Sequence, residues 1–304
     1  MRMGLMLGAN DGPDGGTLAG LIKLAQDAEA RGFDDLWMAN IFGLDAISTL
    51  SIIGSHTDRI GLGTAVTPTY PRHPTALAQQ AMTAGAAAPG RFRLGIGLSH
   101  KVVIENMLGF SYEKPARHMR EYLTVLGPLM RGEAVAHAGT EYNVNLQLNV
   151  PDAGRVPILV AALGPQMLKL TGELADGTVT WMTGPKTLEE HIVPSINTAA
   201  ASAGKPDATV AAGFPIVVTN DVDDARESIG KTFAMYGQLP SYRAMLDREG
   251  IAGPADLAMV GDENSLRGSL QRLKDVGVTD FCAAISPTDE SAYQRTLEFL
   301  AGDW

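Results

Sequence analysis

The regular alternation of short β-rich runs with helical stretches constrains the fold of this chain more than any other feature of its sequence. Buried apolar runs such as "VPILVAA" predict strands, and amphipathic segments such as "LAGLIKLAQDAEARG" predict helices. Strands that are separated by single helices pair in parallel. The predicted strands cover residues 3–9, 34–39, 59–66, 91–98, 156–162, 177–182, 209–219 and 279–286. The predicted helices cover residues 18–32, 45–57, 74–88, 115–132, 165–175, 187–204, 263–277 and 289–302.

These β–α units predict a (β/α)8 TIM barrel that forms one domain over residues 1–304. Two insertions interrupt the pattern. After strand 4, residues 133–151 predict a hairpin, and after strand 7, residues 221–260 are mostly helical. Residues 101–115, also after strand 4, and residues 236–255 are expected to build the substrate pocket. An open doubly wound sheet is the alternative fold. We consider it weaker, because "GANDGPDGG" after the first strand lacks the G-x-G-x-x-G turn of dinucleotide-binding sheets.

Composition narrows the class of protein. The formal net charge of −10 opposes binding to nucleic acid, although it leaves room for a local anion site. Cys282 is the only cysteine, so the chain has no intrachain disulfide and no cysteine metal cluster. No run approaches the roughly 18 apolar residues of a transmembrane helix, and the N-terminus does not resemble a secretion signal. We therefore expect a soluble cytoplasmic protein.

Functional residues of a barrel enzyme lie at the carboxyl ends of its strands. Here these ends are rich in Gly, Ala, Ser, Thr, Asn and Trp and poor in carboxylates. A metal site needs clustered His, Asp or Glu, and a glycosidase needs two opposed acids. We expect neither. The composition suits a broad, flat organic group that the backbone approaches closely.

Two strand ends carry local signals. In "AALGPQML" a strand turns at Gly164 and a helix starts with Pro165, so free N–H groups could bind a phosphate; an ordinary strand–helix turn is the alternative. In "LGIGLSHK", His100 could act as an acid or base, or it could be a solvated loop residue. Trp37 and Trp181 are expected to lie partly in the core and partly in a pocket wall.

The segments "GLGTAVTPTYPRHPTALAQQAMTAGAAAPGRFRLGIGLSH", "PILVAALGPQMLKLTGELADGTVTWMTGP" and "MVGDENSLRGSLQRLKDVGVTDF" resemble the bacterial-luciferase-like superfamily. Within it the chain is most similar to the coenzyme F420-dependent oxidoreductases. The resemblance covers essentially the whole chain. It implies a barrel with a deazaflavin across the strand ends, and it places a cis peptide bond between Ala65 and Val66.

The resemblance also implies site residues. His100 and Tyr70 are the candidate proton donors. The residues expected to contact the cofactor are Asn40, Ala65, Val66, Gly97, Leu98, Ser99, Ala161, Ala162, Gly164, Pro165, Gln166, Met167, Thr183 and Gly184.

Departures from the family pattern bear on the reaction. Asn40-Ile41 replaces an Asp-His pair, and His100 replaces the glutamate of the sugar-phosphate dehydrogenase branch. The chain therefore lacks the acid/base pair that oxidises a sugar hydroxyl. The resemblance leaves an F420-dependent oxidoreductase, with a reductase favoured, acting on an unknown small organic substrate. An FMN-dependent monooxygenase and a non-catalytic flavin- or deazaflavin-binding protein are the alternatives. We expect a homodimer that binds neither nucleic acid nor membranes.

Overall fold

The strands and helices alternate along the chain as the sequence predicts. The computed structural model describes residues 1–8 and 13–302, so the end of the first predicted strand, at residue 9, lies outside the described residues. The strands of the described residues are β1 (Arg2–Leu7), β2 (Asp35–Met38), β3 (Gly61–Thr64), β4 (Thr67–Pro68), β5 (Phe92–Gly97), β6 (Val135–Ala138), β7 (Asn143–Leu146), β8 (Ile158–Val160), β9 (Gly177–Trp181), β10 (Thr209–Val218), β11 (Met259–Gly261) and β12 (Asp280–Ile285).

The helices of the described residues are α1 (Pro13–Gly16), α2 (Leu18–Ala30), α3 (Ala46–Gly54), α4 (Pro74–Ala87), α5 (Pro115–Met130), α6 (Pro165–Leu174), α7 (Pro185–Thr187), α8 (Val193–Ser202), α9 (Val222–Thr232), α10 (Pro240–Glu249), α11 (Pro254–Leu257), α12 (Glu263–Asp275) and α13 (Glu290–Ala301). Two π-helical segments, Val102–Met107 and Leu188–Ile192, and a 3₁₀ segment, Ala234–Gln238, complete the helical structure of this part of the chain.

Eight parallel strands close into a barrel in the order β1, β2, β3, β5, β8, β9, β10 and β12, and β12 returns to pair with β1. The predicted TIM barrel is therefore confirmed, and the open sheet is excluded. The predicted insertions follow the fourth and seventh barrel strands. In the first, β6 and β7 form the expected antiparallel hairpin; in the second, the short strand β11 extends the sheet beside the end of β10.

Close approach of neighbouring strands explains two glycines in the barrel wall. A Cβ on Gly63 would lie 2.3 Å from the ring of Trp37, and a Cβ on Gly95 would lie 1.9 Å from the carbonyl oxygen of Thr64. Thr64 Oγ1 donates to the Gly95 carbonyl (2.7 Å) and accepts from the Gly95 N–H (2.9 Å). These contacts fix the end of β3, where the Ala65–Val66 peptide bond is cis as expected.

A charged cluster fills the amino-terminal end of the barrel. Arg93 pairs with the buried carboxylates of Asp35 and Asp280, and its Nη1 lies 2.6 Å from Asp280 Oδ1. Arg2 also donates to Asp35, at 2.8 Å. The Arg93 guanidinium lies 4.4 Å from the ring centre of Trp37. Two carboxylates thus face two guanidinium groups, and the charges inside this end of the barrel are balanced.

Cys282 lies in the barrel interior and is fully buried, and burial raises the pKa of its thiol. It packs in the same apolar cluster as Trp37, Ala65 and Val179. The thiol is thus part of the core, as expected. Within the described residues, no helix is both long enough and apolar enough to cross a membrane.

Candidate active site

A cavity of about 250 Å³ lies at the carboxyl ends of the adjacent strands β3, β5, β8 and β9. Nine of the predicted site residues line it: Ala65, Val66, Gly97, Leu98, Ser99, His100, Ala161, Gly164 and Met167. Its other walls include Met6, Tyr112, Thr180, Trp181, Ser241 and Tyr242. Two cavities of about 500 Å³ lie elsewhere, against α12 and between α2 and α13. They share no lining residue with the cavity at the convergent strand ends, where barrel enzymes place their chemistry.

A second cavity, of about 460 Å³, continues the first one outward. The two share Ser99, His100, Tyr112 and Ser241, so they form a single cleft. The outer cavity is bounded by the π-helical segment Val102–Met107 and by Leu239 and Pro240. The two insertions after the fourth and seventh strands therefore build the outer walls, as the sequence predicts.

The backbone at two of these strand ends adopts an uncommon conformation. Ser99, just beyond β5, has φ of 59°, and Met182, just beyond β9, has φ of 47°. Residues other than glycine rarely enter this left-handed region, and those that do often lie at functional sites. Tyr112 OH donates to the Ser99 carbonyl at 3.2 Å and ties this turn to the insertion above it.

Aromatic side chains surround the cavity. The rings of His100 and Tyr242 are 5.8 Å apart, and Trp181 packs edge-on against Phe233 (5.6 Å) and Tyr236 (6.3 Å). The indole Nε1 of Trp181 is buried and has no hydrogen-bond acceptor among the described residues. The wall is therefore flat and apolar, with an unused N–H donor.

Among the residues that the structure describes, no Lys, Arg, Asp or Glu side chain lines the inner cavity. Burial lowers the pKa of His100, so its neutral form dominates at pH 7. Burial raises the pKa values of Tyr112 and Tyr242, so both phenols keep their protons. The inner cavity is therefore uncharged at neutral pH, while its side chains can still donate hydrogen bonds.

Tyr70, the second candidate proton donor, lies behind this wall rather than in the cavity lining. Its ring stacks on Tyr112 at 5.4 Å and on His118 at 4.0 Å, and its buried hydroxyl has no hydrogen-bond partner among the described residues. Burial raises the pKa of Tyr70 and lowers that of His118 to about 4. Tyr70 thus supports Tyr112, which separates it from the cleft.

The other predicted cofactor contacts, Asn40, Ala162, Pro165, Gln166, Thr183 and Gly184, lie outside the inner cavity lining. Asn40 Oδ1 accepts from the Ala46 N–H at 3.0 Å and so serves the start of α3. Gly184 precedes a helix start that the Glu249 carboxylate occupies, accepting from the N–H groups of Lys186 (3.1 Å) and Thr187 (2.8 Å). That helix start is already capped by an anion.

The start of α6 is different. Its first residues, Gly164, Pro165 and Gln166, are exposed, and no side chain caps the helix. A Cβ on Gly164 would meet no atom within 4 Å. Because the first N–H groups of a helix have no partner within it, they are available to an anion at the edge of the cavity.

Sequence reasoning missed Tyr112, Ser241 and Tyr242 as site residues. Each comes from an insertion whose path depends on tertiary packing, although both insertions were predicted to build the pocket. Trp181, expected partly in a pocket wall, does line the cavity. The same expectation was wrong for Trp37, which is fully buried in the barrel interior because its strand directs the indole into the core.

Comparison with known proteins agrees with this geometry. The luciferase-like monooxygenase family matches residues 1–300. The chain is 33% identical to the 5,10-methylenetetrahydromethanopterin reductase of Archaeoglobus fulgidus, over 77% of this chain and 70% of that protein. It is 32% identical to the F420-dependent glucose-6-phosphate dehydrogenase of Microbacterium testaceum, over 59% of this chain and 57% of that enzyme.

Among solved structures, the coenzyme F420-dependent tetrahydromethanopterin reductase of Methanopyrus kandleri superposes with a TM-score of 0.81 at 22% identity, over 99% of this chain and 97% of that one. This superposition covers the whole barrel. The family expected from the sequence is confirmed: this chain belongs to the luciferase-like monooxygenase family.

Proposed function

We propose that this chain is an F420-dependent oxidoreductase that transfers hydride from the reduced cofactor to a small organic substrate. One observation carries the proposal: an inner cavity that no ionic side chain of the described residues lines spans four adjacent strand ends and meets an uncapped helix start at its edge. Such a cleft suits a flat, largely apolar ring system that carries a phosphate on a side arm.

The relatives support the enzyme class and the cofactor. The Microbacterium testaceum relative is named an F420-dependent dehydrogenase, and the Archaeoglobus fulgidus relative is named a reductase. These names agree with the oxidoreductase class and with the cofactor that the sequence predicts.

The residues present fit the cofactor. Gly97, Ala161 and the Ala65–Val66 bulge form a floor of small side chains, which leaves room for a ring across the strand ends. The free N–H groups at the start of α6 would hold the phosphate. When bound, F420 supplies two electrons and a proton to the substrate as a hydride.

Reduction needs a second proton, and His100 is placed to deliver it. It lies where the inner and outer cavities meet. Tyr112, tied to the Ser99 carbonyl, and Tyr242 hold the walls around it and exclude water. A substrate bound between these rings would receive hydride at one atom and a proton from the imidazole at another, and most of the acceleration would come from orientation.

The reducing direction is favoured over sugar oxidation. The dehydrogenase branch uses a histidine after strand 2 and a glutamate after strand 4, by the resemblance described above. Here Ile41 is an exposed aliphatic side chain that cannot accept a proton, and His100 stands in place of the glutamate. No carboxylate of the described residues lines the inner cavity to serve as a base.

Equilibrium titration of the purified protein with F420 and with FMN tests the cofactor. We expect F420 to bind more tightly. Tighter FMN binding would instead favour an FMN-dependent monooxygenase. Substrate-dependent loss of the reduced F420 absorbance then tests catalysis, and binding without turnover across reducible ketones, imines and enones would favour a non-catalytic binding protein.

We further propose that the protein is a cytoplasmic homodimer, as expected from the sequence. Sedimentation equilibrium tests the assembly, because a dimer has twice the chain mass of 32.1 kDa.

A further inference from the structure

We propose that Trp181 orients the substrate by donating its indole N–H to a carbonyl or imine acceptor, and that the substrate is a neutral, planar organic molecule. The inference rests on the proposed function and names the substrate class of the same site.

The indole N–H of Trp181 is a hydrogen-bond donor without an acceptor among the described residues. Trp181 ends β9 and lines the inner cavity, and its Nε1 is buried without an acceptor among the described residues. A buried N–H that lacks a partner is costly, so native proteins usually satisfy such groups. Phe233 and Tyr236 pack edge-on against the indole and hold its orientation. A ligand acceptor that comes within hydrogen-bond distance of Nε1 would satisfy this donor.

The charges of the side chains that line the cavities bear on the substrate. Within the described part of the chain, the inner cavity has no ionic side chain, and its histidine and tyrosines are neutral at pH 7. In the outer cavity, Lys101 and Glu105 lie 3.7 Å apart and offset each other. An ionised reacting group would therefore be buried without a counter-ion, which is strongly unfavourable. The acceptor must be uncharged.

The shape of the inner cavity wall also bears on the substrate. Four rings, those of Trp181, Tyr242, Tyr112 and His100, line the inner cavity. Aromatic faces and edges pack best against flat π systems. Conjugated ketones, imines and quinones combine a planar frame with a neutral acceptor.

The variant Trp181→Phe keeps an aromatic ring and removes the N–H. Trp37→Phe is the matched control, because Trp37 Nε1 is also buried without an acceptor, yet Trp37 lies in the barrel interior and does not line the cavity. Calorimetry on the F420-saturated protein would measure binding of 2-cyclohexenone, benzylideneacetone and menadione. Cinnamate, a planar anion, would serve as the charged counterpart of benzylideneacetone.

We expect at least one ketone to bind, and benzylideneacetone to bind at least about tenfold more tightly than cinnamate. Trp181→Phe should weaken ketone binding about five- to tenfold, as loss of one hydrogen bond predicts. Its F420 dissociation constant should stay within about twofold of the wild-type value, a difference too small to reflect a lost hydrogen bond. Trp37→Phe should leave both constants unchanged.

Several outcomes would overturn the inference. A loss of F420 affinity in Trp181→Phe means that the indole faces the cofactor. Unchanged ketone binding in that variant, equal binding of cinnamate, or binding of none of the ketones would each contradict it. If the wild-type protein does not bind F420, the proposed function fails and this inference fails with it; F420 binding without the ketone pattern overturns this inference alone.

Discussion

His100 is the candidate proton donor that lines the cleft. It lies at the junction of the two cavities, beside the ring of Tyr242, and it is the one histidine in the cleft. Burial lowers the pKa of His100, so the protonated imidazolium form is populated only at more acidic pH. The pH dependence of turnover therefore reports on its role.

If His100 delivers the proton, turnover should rise as pH falls through its folded pKa, which lies below the ordinary value of about 6.5. The reason is that imidazolium, the donor, is populated below that pKa. His100→Gln should lower turnover roughly 10²–10⁴-fold and flatten this limb, with cofactor affinity nearly intact. Steady-state kinetics at saturating reduced F420 measures both.

His73→Gln is the control for this experiment, since His73 caps the start of α4 and lies outside the cleft. Unchanged turnover in His100→Gln would rule out the imidazole as the acid. Tyr70 would then be the remaining candidate proton donor. Burial raises the pKa of Tyr70, so its phenol keeps its proton.

At the scale of elements, the start of α6 is the candidate phosphate site. Gly164→Val should fold normally, because a Cβ there meets no atom within 4 Å and the backbone has φ of −82°. The added side chain should instead keep a phosphate from the helix N–H groups. We expect F420 affinity to fall at least about tenfold, with much less effect on a fragment that lacks the phosphate. Absorbance titration with both ligands measures the difference.

Gly253→Val is a matched control, since Gly253 also precedes a proline at a helix start and also has open space around its Cβ, while lying outside the cleft. Equal losses for F420 and for the fragment would show that α6 does not bind the phosphate.

Regular elements were predictable from sequence within a few residues. The strand expected over 91–98 is β5 at Phe92–Gly97, and the helix expected over 115–132 is α5 at Pro115–Met130. Hydrophobic periodicity specifies such elements directly. It does not specify the π-helical segment Val102–Met107, whose widened turns depend on packing against neighbouring elements.

The site was predictable where it depends on strand ends and not where it depends on insertions. The turn residues Gly97, Ser99 and Ala161 line the cavity because barrel topology brings them together. Tyr112 and Tyr242 reach it only through the folded path of the insertions. Asn40, expected at the cofactor from the resemblance, is held by the N–H of Ala46 in this structure, and its contact with the cofactor stays a prediction.

At the scale of the whole molecule, the buried charged cluster and the candidate active site lie at opposite ends of the barrel. Its amino-terminal end holds the balanced cluster of Arg93, Asp35, Asp280 and Arg2, whereas its carboxyl-terminal end holds the inner cavity, which no ionic side chain of the described residues lines. Residues at the bottom of a TIM barrel generally serve stability, and those at the top serve function. Changes at the two ends should therefore have separable effects.

Arg93→Met should lower the free energy of unfolding by about 3–5 kcal/mol, because it leaves buried carboxylate charge without its partner. Arg2 still pairs with Asp35 at 2.7 Å but lies 3.6 Å from Asp280, so the loss should fall mainly on Asp280. Urea unfolding measures the change. F420 affinity of the remaining folded protein should be unchanged.

Arg131→Met provides the surface comparison, because Arg131 and its partner Glu133 are both exposed. That change should cost less than about 1 kcal/mol. A similarly small loss in Arg93→Met would show that the buried cluster contributes little to stability.

No lysine or arginine of the described residues lines the inner cavity, and this also affects the rate at which the cofactor binds. The chain carries a net charge of −10, so a phosphate-bearing ligand diffuses toward a repulsive surface that no cation in the inner cavity counteracts. Salt shortens the range of this repulsion from roughly 30 Å at 0.01 M to about 8 Å at 0.15 M. In stopped-flow measurements the association rate of F420 should therefore increase with ionic strength, whereas the capture of an uncharged substrate should not respond.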